Sequence, residues 1–346
     1  DPEGEIGNET TLNRIPSLAA CVVKDDSVVW QRHYGYADLS SQRVADKNTI
    51  YGLASVSKLI VVTATMQLHE QRIIDLNADV NDYLPFSVRN PKFPQEKITP
   101  YHLLTHTSGL NWPESDAQVP GYYNQYPLDS APPLSEWMPE FISPGGAHYV
   151  LAVWMNSRPG EREWYSNIGV SLLAYIVEVV SQMDFNEYCK QHIFEPLEMF
   201  NTSYNYADLD MDNLATLYDQ PQHSIKFYRY AGYPSGNLKS TLEDFSHFII
   251  AYMNGGQYKG RRILKESSIN EILQVRNPAS GLCLIWNLTV GGWYGHAGGM
   301  TGVAAYAEFQ REHNVGLIIV SNYRPPTVYP GNKTHALVRR IARRYR

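Results

Sequence analysis

Strand-like runs stand at both ends of this chain and helical patterns fill the middle, and that arrangement restricts the fold most. "SLAACVVKDDSVVWQRHYGYADL" (residues 17–39) reads as a hairpin, two apolar runs flanking a turn at Asp25-Asp26. Far along the chain, "GLCLIW", "GVAAYAEFQ" and "NVGLIIVSN" are short apolar or alternating runs separated by turns. A single hairpin is marginal in water, so the two ends are best joined. The economical solution is one antiparallel sheet built from both termini, flanked by helices, with a mostly helical region inserted between. The expected class is α/β (α+β). Residues 1–75 and 235–346 would form a discontinuous sheet region, and 76–234 the helical insertion.

The helical signals are specific. A helix should follow Ser55, with Leu59, Val62, Met66 and Ile73 as apolar landmarks. "ITPYHLLTHTSGL" predicts a short helix with Thr99 as N-cap, Pro100 at the first position and Gly109 as the stop. "NIGVSLLAYIVEVVSQM" is strongly helical, with Asn167 as a plausible N-cap, and Thr241-x-x-Asp244 signals another start. Residues 111–159 are rich in Pro and aromatics, not in Gly and Ser, so they read as a stiffened excursion and not as a flexible linker. The chain closes on a basic helix, "THALVRRIARRYR". Its arginines read as a solvated face with Leu337 and Ile341 packed on the sheet, ahead of a contact with an anionic membrane.

Composition excludes several function classes. The net charge is −6 over 346 residues, so a phosphate-tracking surface for nucleic acid is not expected. Three scattered cysteines (Cys21, Cys189, Cys283) make neither a disulfide framework nor a zinc knuckle. No apolar run reaches the roughly 18 residues that span a membrane, and no signal peptide opens the sequence, as if a targeting segment had been removed. Sequons at Asn8, Asn201, Asn287 and Asn332 fit a secreted glycoprotein and fit chance almost as well.

Three stretches can carry chemistry. In "GLASVSKLIVV", Ser55 and Lys58 lie three apart and share a helix face. At a helix N-terminus, free backbone N–H groups favour a developing oxyanion, and a desolvated lysine can take a serine's proton. Alone, the pair reads more readily as a capping serine with a solvated lysine. In "RPGEREWYSNIGV", Tyr165 and Asn167 flank a helix start after a Pro159-Gly160 turn, so Tyr165 either enters a cleft or joins the core. In "WYGHAGGMTGVAAYAEF", Gly295, Gly298, Gly299 and Gly302 surround His296 just before a strand. Such glycines mark a bulge or the close approach of a ligand or another backbone. His102 and His106 have a zinc-like i, i+4 spacing, but "HLLTH" lacks the metalloprotease glutamate and a third ligand.

Taken in order, Ser55-x-x-Lys58, Tyr165-x-Asn167 and His296-x-Gly298 resemble the signature of the serine β-lactamase and penicillin-binding-protein superfamily. The resemblance is to the side containing class C β-lactamases, DD-peptidases and family esterases. "HLLTHTSGL", "RPGEREWYSNIGVSLLAYIVEVV", "IFEPLEMFNTSY" and "YPSGNLKSTLEDFSHFI" look like family segments in family order, from about Asn13 to the C-terminus. The resemblance implies a β-lactamase/transpeptidase-like fold and a serine hydrolase that works through an acyl-enzyme, without cofactor or metal. It implies Ser55 as nucleophile, with Lys58 and Tyr165 sharing the base role. Asn167 would orient the acyl group or Lys58, and the N–H groups of Ser55 and Gly299 would form the oxyanion hole. The implied partner is a small-molecule or peptide acyl substrate, and the implied compartment is periplasmic or otherwise extracytoplasmic.

One departure matters. Drug-hydrolysing relatives carry Lys-Thr-Gly or Lys-Ser-Gly at the third motif, and here it is His296-Ala297-Gly298. A histidine with the ordinary pKa of about 6.5 is only fractionally charged near neutrality. A DD-peptidase, D-aminopeptidase or esterase is therefore expected ahead of a β-lactamase proper, and a low-turnover penicillin-binding, sensing or scaffolding protein is the alternative of another class. Tyr122, Tyr123 and Tyr126 in the excursion are expected either to shape an apolar acyl pocket or to pack among their own aromatics.

Overall fold

The computed structural model describes residues 2–112, 121–324 and 333–346. Pro113 and Pro120 of the excursion and the Asn332 sequon lie outside the described residues. Among the described residues the main sheet has seven strands: β1 (Ser17–Lys24), β2 (Ser27–Asp38), β3 (Arg43–Val44), β4 (Asn287–Thr289), β5 (Trp293–Met300), β6 (Val303–Gln310) and β7 (Val315–Ser321). Their order is β4-β5-β6-β7-β1-β2-β3, antiparallel throughout. The termini meet where β1 pairs with β7, from Leu18↔Ser321 to Lys24↔Val315. This is the sheet expected from the terminal strand patterns.

The two faces of the sheet explain why β1 and β7 read as unbroken apolar runs. Ala19, Cys21 and Val23 point into one core, while Leu18, Ala20 and Val22 point into another. Strands covered on both faces lose the polar half of their alternation. Helices α1 (Pro2–Leu12) and α9 (Lys333–Ala342) cover one face through Ile6, Leu337, Val338 and Ile341. The other face packs on α7 (Leu242–Met253), which shares one core with α2 (Lys58–Glu70), α5 (Asn167–Ser181) and α8 (Glu266–Leu273). The short α3 (Pro100–Leu104), α4 (Leu134–Ile142) and α6 (Phe185–Cys189) complete the helical region.

Several local expectations need correction. The stretch 281–286 is not a strand but a buried turn. Its apolar run is buried from Leu282 to Trp286, Leu282 makes only isolated bridges to Asn277 and Asn287, and Leu284 and Ile285 donate to the Ile272 and Leu104 carbonyls, so burial with little strand pairing produced the strand-like pattern. His296 lies within β5, not before a strand. α5 is capped by Ser166, whose hydroxyl accepts from the Gly169 N–H, and Asn167 is its first residue. α3 has the Thr99 cap and Pro100 start but ends at Leu104, well before Gly109. Ile73 lies beyond α2 and is 43% exposed. α1 has no counterpart in the sequence reading, because it buries only Pro2, Ile6 and Thr10 and so lacks an amphipathic stripe.

The excursion packs inward. Tyr122, Trp137, Phe141 and Trp154 are buried in the same core cluster as α5. Among the described residues no single helix is long and apolar enough to cross a membrane.

Candidate active site

Ser55 sits in a 3-10 turn, Ala54–Ser57, that runs directly into α2. Ala54 has φ 44°, a left-handed conformation that costs a non-glycine residue about 1 kcal/mol or more. Ser57 pins the turn: its hydroxyl donates to the Ala54 carbonyl and accepts from the Leu238 N–H, and its carbonyl accepts from the Tyr204 hydroxyl. Position two of such a turn has no intrahelical acceptor for its N–H.

The third motif approaches the same turn from the sheet. A Cβ on Gly298 would lie 2.3 Å from the Leu53 carbonyl oxygen and 3.0 Å from the Ser55 nitrogen. Only glycine permits this contact, which is the close backbone approach that the glycine cluster suggested. β4 pairs with β5 only as far as Gly295, so from His296 onward that edge has no strand partner among the described residues. Ser55 and Gly299 both line a cavity of about 310 Å³ between this edge and the helical region.

Lys58 is completely buried. Its Nζ donates to Ser55 Oγ at 3.0 Å and to the Ser235 carbonyl at 2.5 Å. Among the described residues no carboxylate pairs with it within salt-bridge distance. Burial holds its pKa well below the ordinary lysine value, favouring the neutral amine that a proton acceptor must be. Lys58 Nζ also lies 5.0 Å from the centroid of the Tyr165 ring.

Tyr165 enters this cluster and does not join the apolar core. Its half-buried ring packs against His106 and Trp112, at centroid distances of 4.7 and 4.9 Å, and reaches His296 at 6.3 Å. His296 is buried, and its Nδ1–H donates to the Ala297 carbonyl at 2.6 Å, so its neutral ring presents Nε2 as an acceptor. Burial first, and the repulsion that Lys58 exerts when protonated second, push its pKa down to about 3. The fractional charge expected from an ordinary histidine is thus corrected to a neutral ring at pH 7. Asn167 lines the cavity, reaches the Tyr122 hydroxyl with its side chain, and keeps Oδ1 buried without a hydrogen-bond partner among the described residues.

The excursion supplies part of the wall. Trp112, Tyr122, Tyr123 and Trp137 line the cavity together with Tyr230, and Trp112 Nε1 donates to the Tyr123 hydroxyl at 3.0 Å. Tyr126 does not line it. It belongs to a two-residue strand that pairs Tyr126 with Arg229, and its half-buried ring packs against the main core. Sequence reasoning also missed Ser235, Tyr230 and Arg324, which the quoted stretches could not place opposite Ser55. The zinc-like pair separates by role: His102 completes the capping box of α3, and His106 packs on Tyr165. Among the described residues no group of three or more His, Cys, Asp or Glu side chains is placed to hold a metal ion.

Comparison with known proteins agrees with this architecture. The sequence model of the Beta-lactamase family matches residues 7–339. Protein flp of Staphylococcus aureus is 23% identical over 329 residues, an overlap of 92% of this chain and 61% of that protein, so the chain spans less than two thirds of this relative. The octameric penicillin-binding protein homologue from Pyrococcus abyssi superposes with a TM-score of 0.74 at 23% identity, over 94% of this chain and 74% of that one. A class C beta-lactamase superposes with a TM-score of 0.75 at 18% identity, over 99% of this chain and 94% of that one. At such identities the structural likeness speaks for the fold.

Proposed function

Because the chain belongs to the Beta-lactamase family, we propose that it is a serine hydrolase that cleaves a peptide, amide or ester through an acyl-enzyme on Ser55. The observation that carries this reading is the 3.0 Å contact between Ser55 Oγ and the buried amine of Lys58, at the wall of a substrate-sized cavity. In the proposed reaction neutral Lys58, with Tyr165 beside it, takes the Ser55 proton. Oγ bonds to the acyl carbon, and the N–H groups of Ser55 and Gly299 stabilise the oxyanion. The carbon–heteroatom bond breaks, and the proton passes to the departing amine or alcohol. Water, deprotonated by the same groups, then releases the acid and regenerates Ser55.

The aromatic wall suits an apolar acyl group. A neutral His296 at the third motif leaves that position without a permanent cation and favours an ester or uncharged amide over a lactam, while Arg324 lines the same cavity and is the cation a substrate carboxylate would have to use. The test is a fluorophosphonate or labelled penicillin followed by intact mass over time. It is run with a panel of D-amino-acid amides, D-Ala-D-Ala peptides, short-chain esters and nitrocefin, and with Ser55→Ala as blank. Transient labelling of Ser55 with ester or amide turnover is expected. Persistent acyl-enzyme without turnover would make the protein a binder, and no labelling would overturn the proposal.

A further inference from the structure

We infer that His106 is a positioning residue that holds the Tyr165 ring against the Ser55–Lys58 pair by clamping the backbone on both sides of it. The inference rests on the proposed role of Tyr165 in proton transfer. His106 follows α3 in a left-handed conformation with φ 53°, which His, like Asn and Asp, adopts more readily than most residues. Two bonds from one short stretch converge on it. Its carbonyl accepts from the Trp164 N–H at 2.7 Å, and its Nδ1 accepts from the Ser166 N–H at 3.3 Å. The residue between those donors is Tyr165, whose ring lies 4.7 Å from the imidazole at a tilt of 42°.

The ring chemistry narrows the role to one atom. Because Nδ1 accepts, the neutral imidazole carries its proton on Nε2, which is buried without a hydrogen-bond partner among the described residues. Burial, with a smaller contribution from the repulsion that Lys58 and His296 exert when protonated, pushes the ring down to about pKa 3, so it stays an acceptor at neutral pH. Ser166, the residue bound at Nδ1, also caps α5, and Asn167 opens that helix into the cavity. One acceptor therefore sets the start of α5 together with the Tyr165 and Asn167 side chains that flank the cap.

The alternative is that His106 only ties two loops together. An amide pair separates the two roles. The shorter side-chain amide of H106N lies near the position of Nδ1 and tolerates the left-handed backbone, whereas H106Q carries its amide near Nε2. Turnover of a neutral short-chain ester is measured per fluorophosphonate-titrated site, with the thermal midpoint alongside. H106Q should lose at least about tenfold in kcat while H106N keeps kcat within about threefold, and KM should barely move in either. If H106Q does not fold, H106A stands in for it. Unchanged kcat per titrated site in the acceptor-less variant, or an equal loss in H106N, overturns the inference while the hydrolase reading stands. A wild-type protein whose Ser55 never labels overturns both.

Discussion

At the scale of single residues the site is organised by one buried charge problem. Lys58 has no carboxylate within salt-bridge distance among the described residues and is fully buried, so its ammonium form is penalised. Only the neutral amine can accept the Ser55 proton, and its fraction rises with pH. Acylation of Ser55 should therefore rise with pH along a limb centred well below the ordinary lysine value of 10.5. Stopped-flow labelling by a fluorophosphonate across pH measures it, and Lys58→Ala should abolish the limb. A limb at or above 10.5, or one that survives in Lys58→Ala, would remove Lys58 from the base role. Much of this was legible in sequence, because spacing alone puts Ser55 and Lys58 on one turn. The neutrality of His296 was not legible. It arises first from the burial of a histidine inside β5, which no local pattern encodes.

At the scale of elements, the closing helix is tied to the sheet by polarity as well as by its apolar stripe. Glu308 in β6 is completely buried, and accepts from Arg339 Nε at 2.6 Å, His335 Nε2 at 3.0 Å and the Tyr306 hydroxyl at 3.0 Å. Burial alone would raise its pKa, but the bonds from Arg339 and His335 outweigh burial and hold it below the usual 4.5. A carboxyl depressed in the folded state contributes stability that is present above its unfolded value and is lost as pH falls through the folded one. Glu308→Gln leaves Arg339 partly buried without its counter-charge and should cost about 3 kcal/mol. Urea unfolding at pH 7 and pH 3 checks both claims: the variant should lose stability at pH 7, and the gap to wild type should narrow at pH 3. An equal gap at both pH values would show that packing, not charge, holds α9. The basic run "RRIARRYR" thus read correctly as a helix with Leu337 and Ile341 inward. Its solvated arginine face was only half right, since Arg339 turns to a glutamate far away in sequence.

At the scale of the whole molecule, the pairing of β1 with β7 makes folding depend on residues from opposite ends of the chain. The largest core cluster does more, since it joins Ala19 and Val320 of the sheet to Trp137, Ile176 and Cys189 of the helical region. The sequence division into a sheet region and an insertion concerns chain order, and a core shared by the two parts should make them unfold as one cooperative unit. Three free cysteines allow a direct test, because Cys21 lies in β1, Cys189 ends α6 and Cys283 sits in the buried turn before β4. Burial raises all three thiols, Cys21 to about 12 and Cys283 to about 11, so in the native state they are shielded and un-ionised. Brief exposure to a thiol reagent at increasing urea, with each cysteine resolved by peptide mass, should give three curves with one midpoint. That midpoint should coincide with loss of tryptophan fluorescence. If Cys189 reacts at lower urea than Cys21, the helical part opens on its own, and the shared core does not bind it to the sheet. The active site would feel that difference, because Lys58 and Asn167 begin helices of that core while Gly298 and Gly299 come from the sheet. A site assembled from both sides of one cooperative core keeps its 3.0 Å contact only while the whole molecule is folded, so labelling of Ser55 should vanish along the same curve.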